Sequence, residues 1–159
     1  MSAPRFQVVA VELYERPVKL RMPFRFGVVT LTAAPQAFVR ARIRLEDGRE
    51  GWGEGAEILA PKWFDKNLAL SNEDNFDQLR LALALAREAY LDGGARTAFG
   101  HFAAHYREVI AAGSRHDLNP LVACFGPAQL DRDPRCALPA GADVVLRGDA
   151  GEFRRYLAG

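Results

Sequence analysis

Cysteine and histidine are scarce in this chain, with two and three copies among 159 residues. Cys124 and Cys136 stand twelve positions apart without a CxxC spacing or a nearby histidine pattern. That excludes a zinc set and a disulfide framework, and predicts reduced thiols in a cytoplasmic protein. Long apolar runs are missing too: no segment approaches the length of a membrane span, and no apolar stretch follows a basic start. Neither charge sign dominates. The 21 Lys and Arg against 20 Asp and Glu leave a net charge of +1, too little to predict a nucleic-acid or anionic-membrane partner. There is no Walker motif, no nucleophile elbow and no dinucleotide fingerprint. The fragments Gly51-Trp-Gly53 and Gly53-Glu-Gly55 precede no helix at the right distance. What remains is ordinary globular composition, 49% hydrophobic and 26% charged, in a length that suits one domain.

The clearest pattern present is a hairpin. Val39, Ala41, Ile43 and Leu45 alternate with Arg40, Arg42 and Arg44, the period of a strand with one buried face. Asp47-Gly48 supplies a tight reversal, and a second strand, EGWGEGAE, starts at Glu50. Its three glycines suggest close packing or a bend toward a site. Upstream, Phe6 to Leu20 reads as another strand, with Pro17 at an edge or bulge position. Arg21 to Gln36 reads as an irregular loop broken by Pro23, Gly27 and Pro35. Downstream, Ile58 to Lys66 is a second irregular loop carrying Pro61, Trp63 and Phe64.

Helical periodicity then takes over. Phe76, Leu79, Leu83, Ala86 and Tyr90 define one amphipathic helix, stopped by Gly93-Gly94. Phe99, Phe102, Ala103, Tyr106, Val109 and Ile110 define the buried stripe of a second, from about Thr97 to Ala112 and ended by Gly113. Asn119 to Asp131 reads as a turn and the start of a third helix. The expected fold is α+β, a three-stranded antiparallel sheet followed by a small helical bundle.

Candidate chemistry is thin. His101, His105 and Glu108 have a spacing that could set three metal ligands on one helix face. Without an HExxH context they read as a solvated face opposite the aromatic stripe. The Arg40/Arg42/Arg44 row reads as a surface salt-bridged to nearby carboxylates in preference to an anion site. Glu54 and Glu57 could form an acid/base pair but need not meet.

The order of motifs is nonetheless distinctive. PFRFG (Pro23 to Gly27), EDGREGWGE (Glu46 to Glu54) and NPLVACFGPAQLDR (Asn119 to Arg132) follow one another as in a known family. The chain from about Val8 to Arg132 resembles the N-terminal capping domain of the enolase superfamily, in its mandelate racemase/muconate lactonizing enzyme branch. The resemblance implies an α+β lid over a (β/α)7β barrel, with two mobile loops that help select the substrate. The matching stretches are Pro23 to Thr32 and Gly55 to Asp65. Phe24, Arg25, Phe26, Lys62 and Trp63 are the expected contacts to a small organic carboxylate. The family's isomerases and lyases abstract a proton α to a carboxylate, using barrel bases and Mg²⁺. Here no catalytic or metal-binding residue can be carried over, so Mg²⁺ is implied only for an intact enzyme. A non-catalytic α+β binding or assembly module using the same loops is the alternative.

Residues 1–132 are thus expected to form the capping domain, and 133–159 an irregular tail. A barrel needs roughly 200 residues or more, which the tail cannot supply, so the chain alone is expected to be inactive. It is also expected to self-associate through the apolar surface that a barrel would cover. Within the tail, a short strand at Val144 to Leu146 and a short helix at Glu152 to Leu157 are expected. The codons allowed for Arg132 to Pro139 admit a different reading. Shifted by one nucleotide, they permit Ala-Ile-Leu-Asp-Ala-Leu-Cys-Arg, which would continue the amphipathic helix of GPAQLDR. An out-of-frame tail in place of a barrel is therefore expected.

Overall fold

The computed structural model describes residues 3–130 and 143–146. Two long antiparallel strands dominate it, β1 (Phe6–Phe26) and β2 (Val29–Leu45), paired from Phe6 opposite Leu45 to Phe26 opposite Val29. β3 (Glu50–Ile58) pairs antiparallel on the other side of β2. Four helices follow: α1 (Asn72–Leu91), α2 (Ala98–Ser114), α3 (Pro120–Ala123) and α4 (Phe125–Leu130). The expected α+β fold, a three-stranded antiparallel sheet followed by helices, is the one that forms. The short tail strand forms as well: β4 (Asp143–Leu146) lies against Leu13 to Glu15 of β1, giving the order β3-β2-β1-β4. The helix expected at Glu152 to Leu157 lies outside the described residues. No described helix is long and apolar enough to cross a membrane.

Alternation builds the core. Val39, with Ala41 and Ile43 packed beside it, joins Val8, Val11 and Leu13 of β1 against Leu79, Leu83 and Tyr90 of α1. Val8 and Val11 share that cluster although they are three apart, because a register shift between Val8 and Ala10 resets the pleat. The reversal at residues 46–49 uses Gly48 at φ +84, while the Asp47 carboxylate accepts from the Arg49 amide at 3.1 Å.

Each long helix starts on a side-chain cap. Ser71 and Asp74 form a reciprocal capping box at α1, and Thr97 accepts from the Gly100 amide at α2. Phe76, Leu79, Leu83, Ala86 and Tyr90 are buried as their spacing predicts. Arg80 ties α1 to the sheet through two hydrogen bonds to Glu15, at 2.7 and 2.8 Å, and is steadied within α1 by a third to Asp77 at 2.6 Å. These carboxylates hold the guanidinium well above even its ordinary pKa. α4 rides directly on α1: a Cβ at Gly126 would run into the Ala82 carbonyl oxygen and sit 2.6 Å from the Ala86 Cβ.

Three expectations fail. The stretch Arg21 to Gln36 is not an irregular loop but the far end of the β1–β2 ladder. Pro23 falls in the register gap between Lys19 and Phe24, and Pro17 faces Pro35, so neither position breaks the ribbon. The second failure is the orientation of α2. His101 and His105 are buried with Val109 and Gly113, at successive steps of four, while Phe99 and Tyr106 are exposed and Phe102 is only half-buried. The His101 ring stacks on Phe6 and Tyr90, and the His105 ring meets Tyr90 at a tilt, as aromatic rings do. Gly113 also does not end α2. It lets α3 approach, since a Cβ there would lie 2.8 Å from the Ala123 Cβ.

Candidate functional site

The two stretches singled out in the sequence meet in space. The β1–β2 ribbon closes in a two-residue turn, Gly27-Val28, with Gly27 at φ +53, the left-handed value that a tight hairpin asks of its first central residue. Two residues apart on one face of the ribbon, Phe24 and Phe26 pack ring to ring at 5.4 Å. Phe26 then meets Trp63 edge-on, with centroids 5.3 Å apart at 69°. Between ribbon and loop lies a cavity of about 470 Å³ lined by Phe26, Gly27, Val28, Val29, Lys62, Trp63, Lys66 and Leu68.

The loop after β3 is a built structure. Leu59 and Pro61 are fully buried beneath it. Phe64 packs edge-on against Phe125 at 5.3 Å. Asp65 and Asn67 each accept a backbone amide two residues on, at 2.9 and 3.0 Å, the Asx geometry that shapes a turn. Lys62 fastens the loop from within. It adopts φ +60, and its amide donates to Asn75 of α1 at 3.1 Å. Its ammonium donates to the carbonyls of Asn67 at 2.9 Å and Leu70 at 2.5 Å.

Of the five residues expected to touch a substrate, Phe26, Lys62 and Trp63 line the cavity, and Phe24 extends its aromatic wall along the ribbon. The Lys62 ammonium faces the loop's own carbonyls. Arg25 alternates to the other face of the ribbon, opposite Thr30, and is solvent-exposed. Val28, Val29, Lys66 and Leu68 also line the cavity and were not singled out from the sequence. A hairpin reading of Phe24 to Thr32 would have brought Val28 and Val29 forward, since Val28 forms the turn and Val29 pairs with Phe26 across it. Lys66 carries no hydrogen bond or ion pair among the described residues, and it is exposed at the cavity. The arrangement is chemically simple: aromatic and aliphatic walls for an apolar group, with one unengaged ammonium for an anion.

Other candidates resolve into structure. The arginine row is ion-paired as expected, Arg40 to Glu54 at 2.9 Å and Arg44 to Glu50 at 2.7 Å, and Arg40 also stacks over Trp52 at 4.2 Å. Glu54 is held by Arg40, and Glu57 accepts from the Ile58 amide. Among the described residues no three His, Cys, Asp or Glu side chains come together to hold a metal. Cys124 is a free thiol.

No family model matches the chain, and no curated protein matches it. Among solved structures it is similar to a dipeptide epimerase from Cytophaga hutchinsonii, crystallised with Mg and the dipeptide D-Ala-L-Val. The identity is 21% over 75% of this chain, with a TM-score of 0.33. The match spans 24% of that longer chain.

Proposed function

We propose that the chain is the N-terminal substrate-specificity lid of an enolase-superfamily enzyme, a racemase, cycloisomerase or dehydratase acting on a small organic carboxylate. The observation that carries this reading is the closure of the PFRFG ribbon on the loop after GWGE. The two segments that resemble the family's specificity loops are those that enclose the cavity through Phe26 and Trp63. In this role Phe24, Phe26, Val28, Trp63 and Leu68 receive the apolar part of the substrate, and Lys66 meets its carboxylate. Lys62 holds the loop in shape, and Arg25 adds positive potential from the outer face of the ribbon.

Met22, Phe24, Val28, Trp63 and Leu68 leave an apolar rim in solvent. A barrel beneath the lid would bury it. Mg²⁺ would neutralise charge developing on the substrate in such an enzyme. The described residues offer Mg²⁺ no ligand set, so metal ligands and proton-abstracting groups alike would come from a barrel.

Fluorescence of the intact chain tests the reading, with Trp52→Phe making Trp63 the sole reporter. Organic carboxylates bearing an apolar group are expected to shift Trp63 emission with Kd on the order of 1 mM, and Lys66→Met to weaken the response. Amides of the same compounds binding as well as the acids would remove the carboxylate from the proposal. A response to none of them would favour the non-catalytic module.

A further inference from the structure

A buried titratable pair, His101 and His105, lies apart from the lid cavity and goes unused by it. The two are 1% and 5% exposed. Their rings stack 5.8 Å apart at 26°, Tyr90 lies against both, and Phe6 covers His101 at 4.9 Å. His101 Nε2 is 2.9 Å from the Phe6 carbonyl oxygen. A neutral ring donates there, which leaves Nδ1 as a bare lone pair. His105 Nδ1 lies 3.4 Å from the Glu108 carboxylate, so its Nε2 is bare by the same logic. Neither of these two bare nitrogens has a hydrogen-bond partner. Both border the buried Gly93, where a Cβ would run into His105 Nε2 and sit 3.1 Å from His101 Nδ1.

The pair sits where β1 is fastened to the α1–α2 connection. Phe6 and Arg96 exchange both backbone hydrogen bonds, at 2.7 and 2.9 Å, so the Phe6 carbonyl serves Arg96 and His101 at once. The charged and titratable groups around the rings offer a cation little support. Arg96 of the connection donates to the Gly93 carbonyl at 2.9 Å, and Arg5, just before β1, donates to the Ala95 carbonyl at 2.7 Å. Tyr90 of α1 contributes a ring face, and Asp92 is the exposed C-cap of α1. Glu108 of α2 reaches His105, and its side chain is 65% exposed.

We propose that His101 and His105 form a proton-sensitive clasp that, when neutral, fastens the start of β1 to the helical layer and, when protonated, opens the Phe6–Arg96 junction. A proton on either bare nitrogen would put an N–H against the Gly93 backbone, whose carbonyl already accepts from Arg96, and charge on both stacked rings would repel. Burial pushes His101 below the usual imidazole range, with the charges of His105 and Arg96 adding to it against the opposing Phe6 carbonyl. The opened state therefore takes up a proton that the closed state excludes. The clasp holds above the ordinary imidazole pKa of about 6.5 and loosens as pH falls below it.

Amide hydrogen exchange of the full chain, corrected for intrinsic rates, reads this directly. From about pH 7.5 to about pH 5.5, protection at Phe6 and Arg96 should fall about tenfold for each pH unit over which one proton is taken up. Protection at Leu83, in the middle of α1, should change less. Replacing both rings by His101→Phe and His105→Phe should flatten that pH response. Equal protection at Phe6 at the two pH values would overturn the proposal, as would an unchanged response in the double variant. Should that variant not fold, the His101 ring resonances of the unaltered chain decide: that ring is expected to stay neutral until the Phe6 amide opens. Titration of that ring while Phe6 stays protected refutes the clasp.

Discussion

The Phe26 ring meets the Trp63 ring edge-on, 5.3 Å between centroids and 69° between planes, joining the tip of the β1–β2 ribbon to the loop that leaves β3. Nothing else so directly makes one site of two separated stretches. A double-mutant cycle of Phe26→Ala and Trp63→Ala, followed by denaturant unfolding, should return a coupling of about 0.5–1.5 kcal/mol. A coupling of zero would mean that the two segments sit side by side without holding each other.

Lys62 is expected to matter through the loop's shape. Lys62→Met removes two part-buried hydrogen bonds to carbonyls and should cost about 2 kcal/mol, since hydrogen bonds from charged donors are worth more than neutral ones. Amide exchange should localise the loss to residues 62–70, leaving the sheet protected.

Arg80 is the main polar tie between α1 and the sheet, and its side chain is 13% exposed against 16% for Glu15. Arg80→Met leaves that carboxylate without its partner and should destabilise the fold by about 3 kcal/mol. Adding Glu15→Gln should restore part of this loss, because the stranded charge is then gone. Equilibrium unfolding of the single and double variants checks the sign of the recovery.

Glycines at two positions should respond oppositely. Gly126→Ala drives a methyl into the Ala82 carbonyl and the Ala86 side chain, and a loss of about 3 kcal/mol is expected as α4 is pushed off α1. Gly51→Ala, on β3, meets nothing within 4 Å and should lie within about 0.5 kcal/mol of the parent. Thermal melts of the two variants side by side make the comparison.

Much of this fold could be read in the sequence because its signals are local. Val39, Ala41, Ile43 and Leu45 announced their strand by alternation, Gly48 its turn, and Phe76, Leu79, Leu83, Ala86 and Tyr90 the buried face of α1. Two features depended on partners distant in the chain. Pro23 and Pro35 read as breakers, yet one falls in a register gap and the other faces Pro17, which only the pairing reveals. On α2, two stripes compete. Hydrophobicity selects Phe99, Phe102 and Tyr106, but the space opened by Gly93 and the rings of Phe6 and Tyr90 draws in His101 and His105 instead. The candidate site was legible at Phe24, Phe26 and Trp63, where aromatic loop residues stand out. Lys66 and Leu68 are ordinary loop residues until the ribbon folds over them.

Whether the chain is the lid of a barrel, as proposed, is answered most directly by sequencing the DNA that encodes it, read one nucleotide out of frame from the Arg132 codon onward. The expected result is an open frame that begins Ala-Ile-Leu-Asp-Ala-Leu-Cys-Arg and runs for roughly 200 codons or more, with alternating strands and helices and with lysine and carboxylate residues at strand ends. Stop codons soon after Arg132 in that frame would contradict the lid, and would leave an α+β module whose cavity serves some other end.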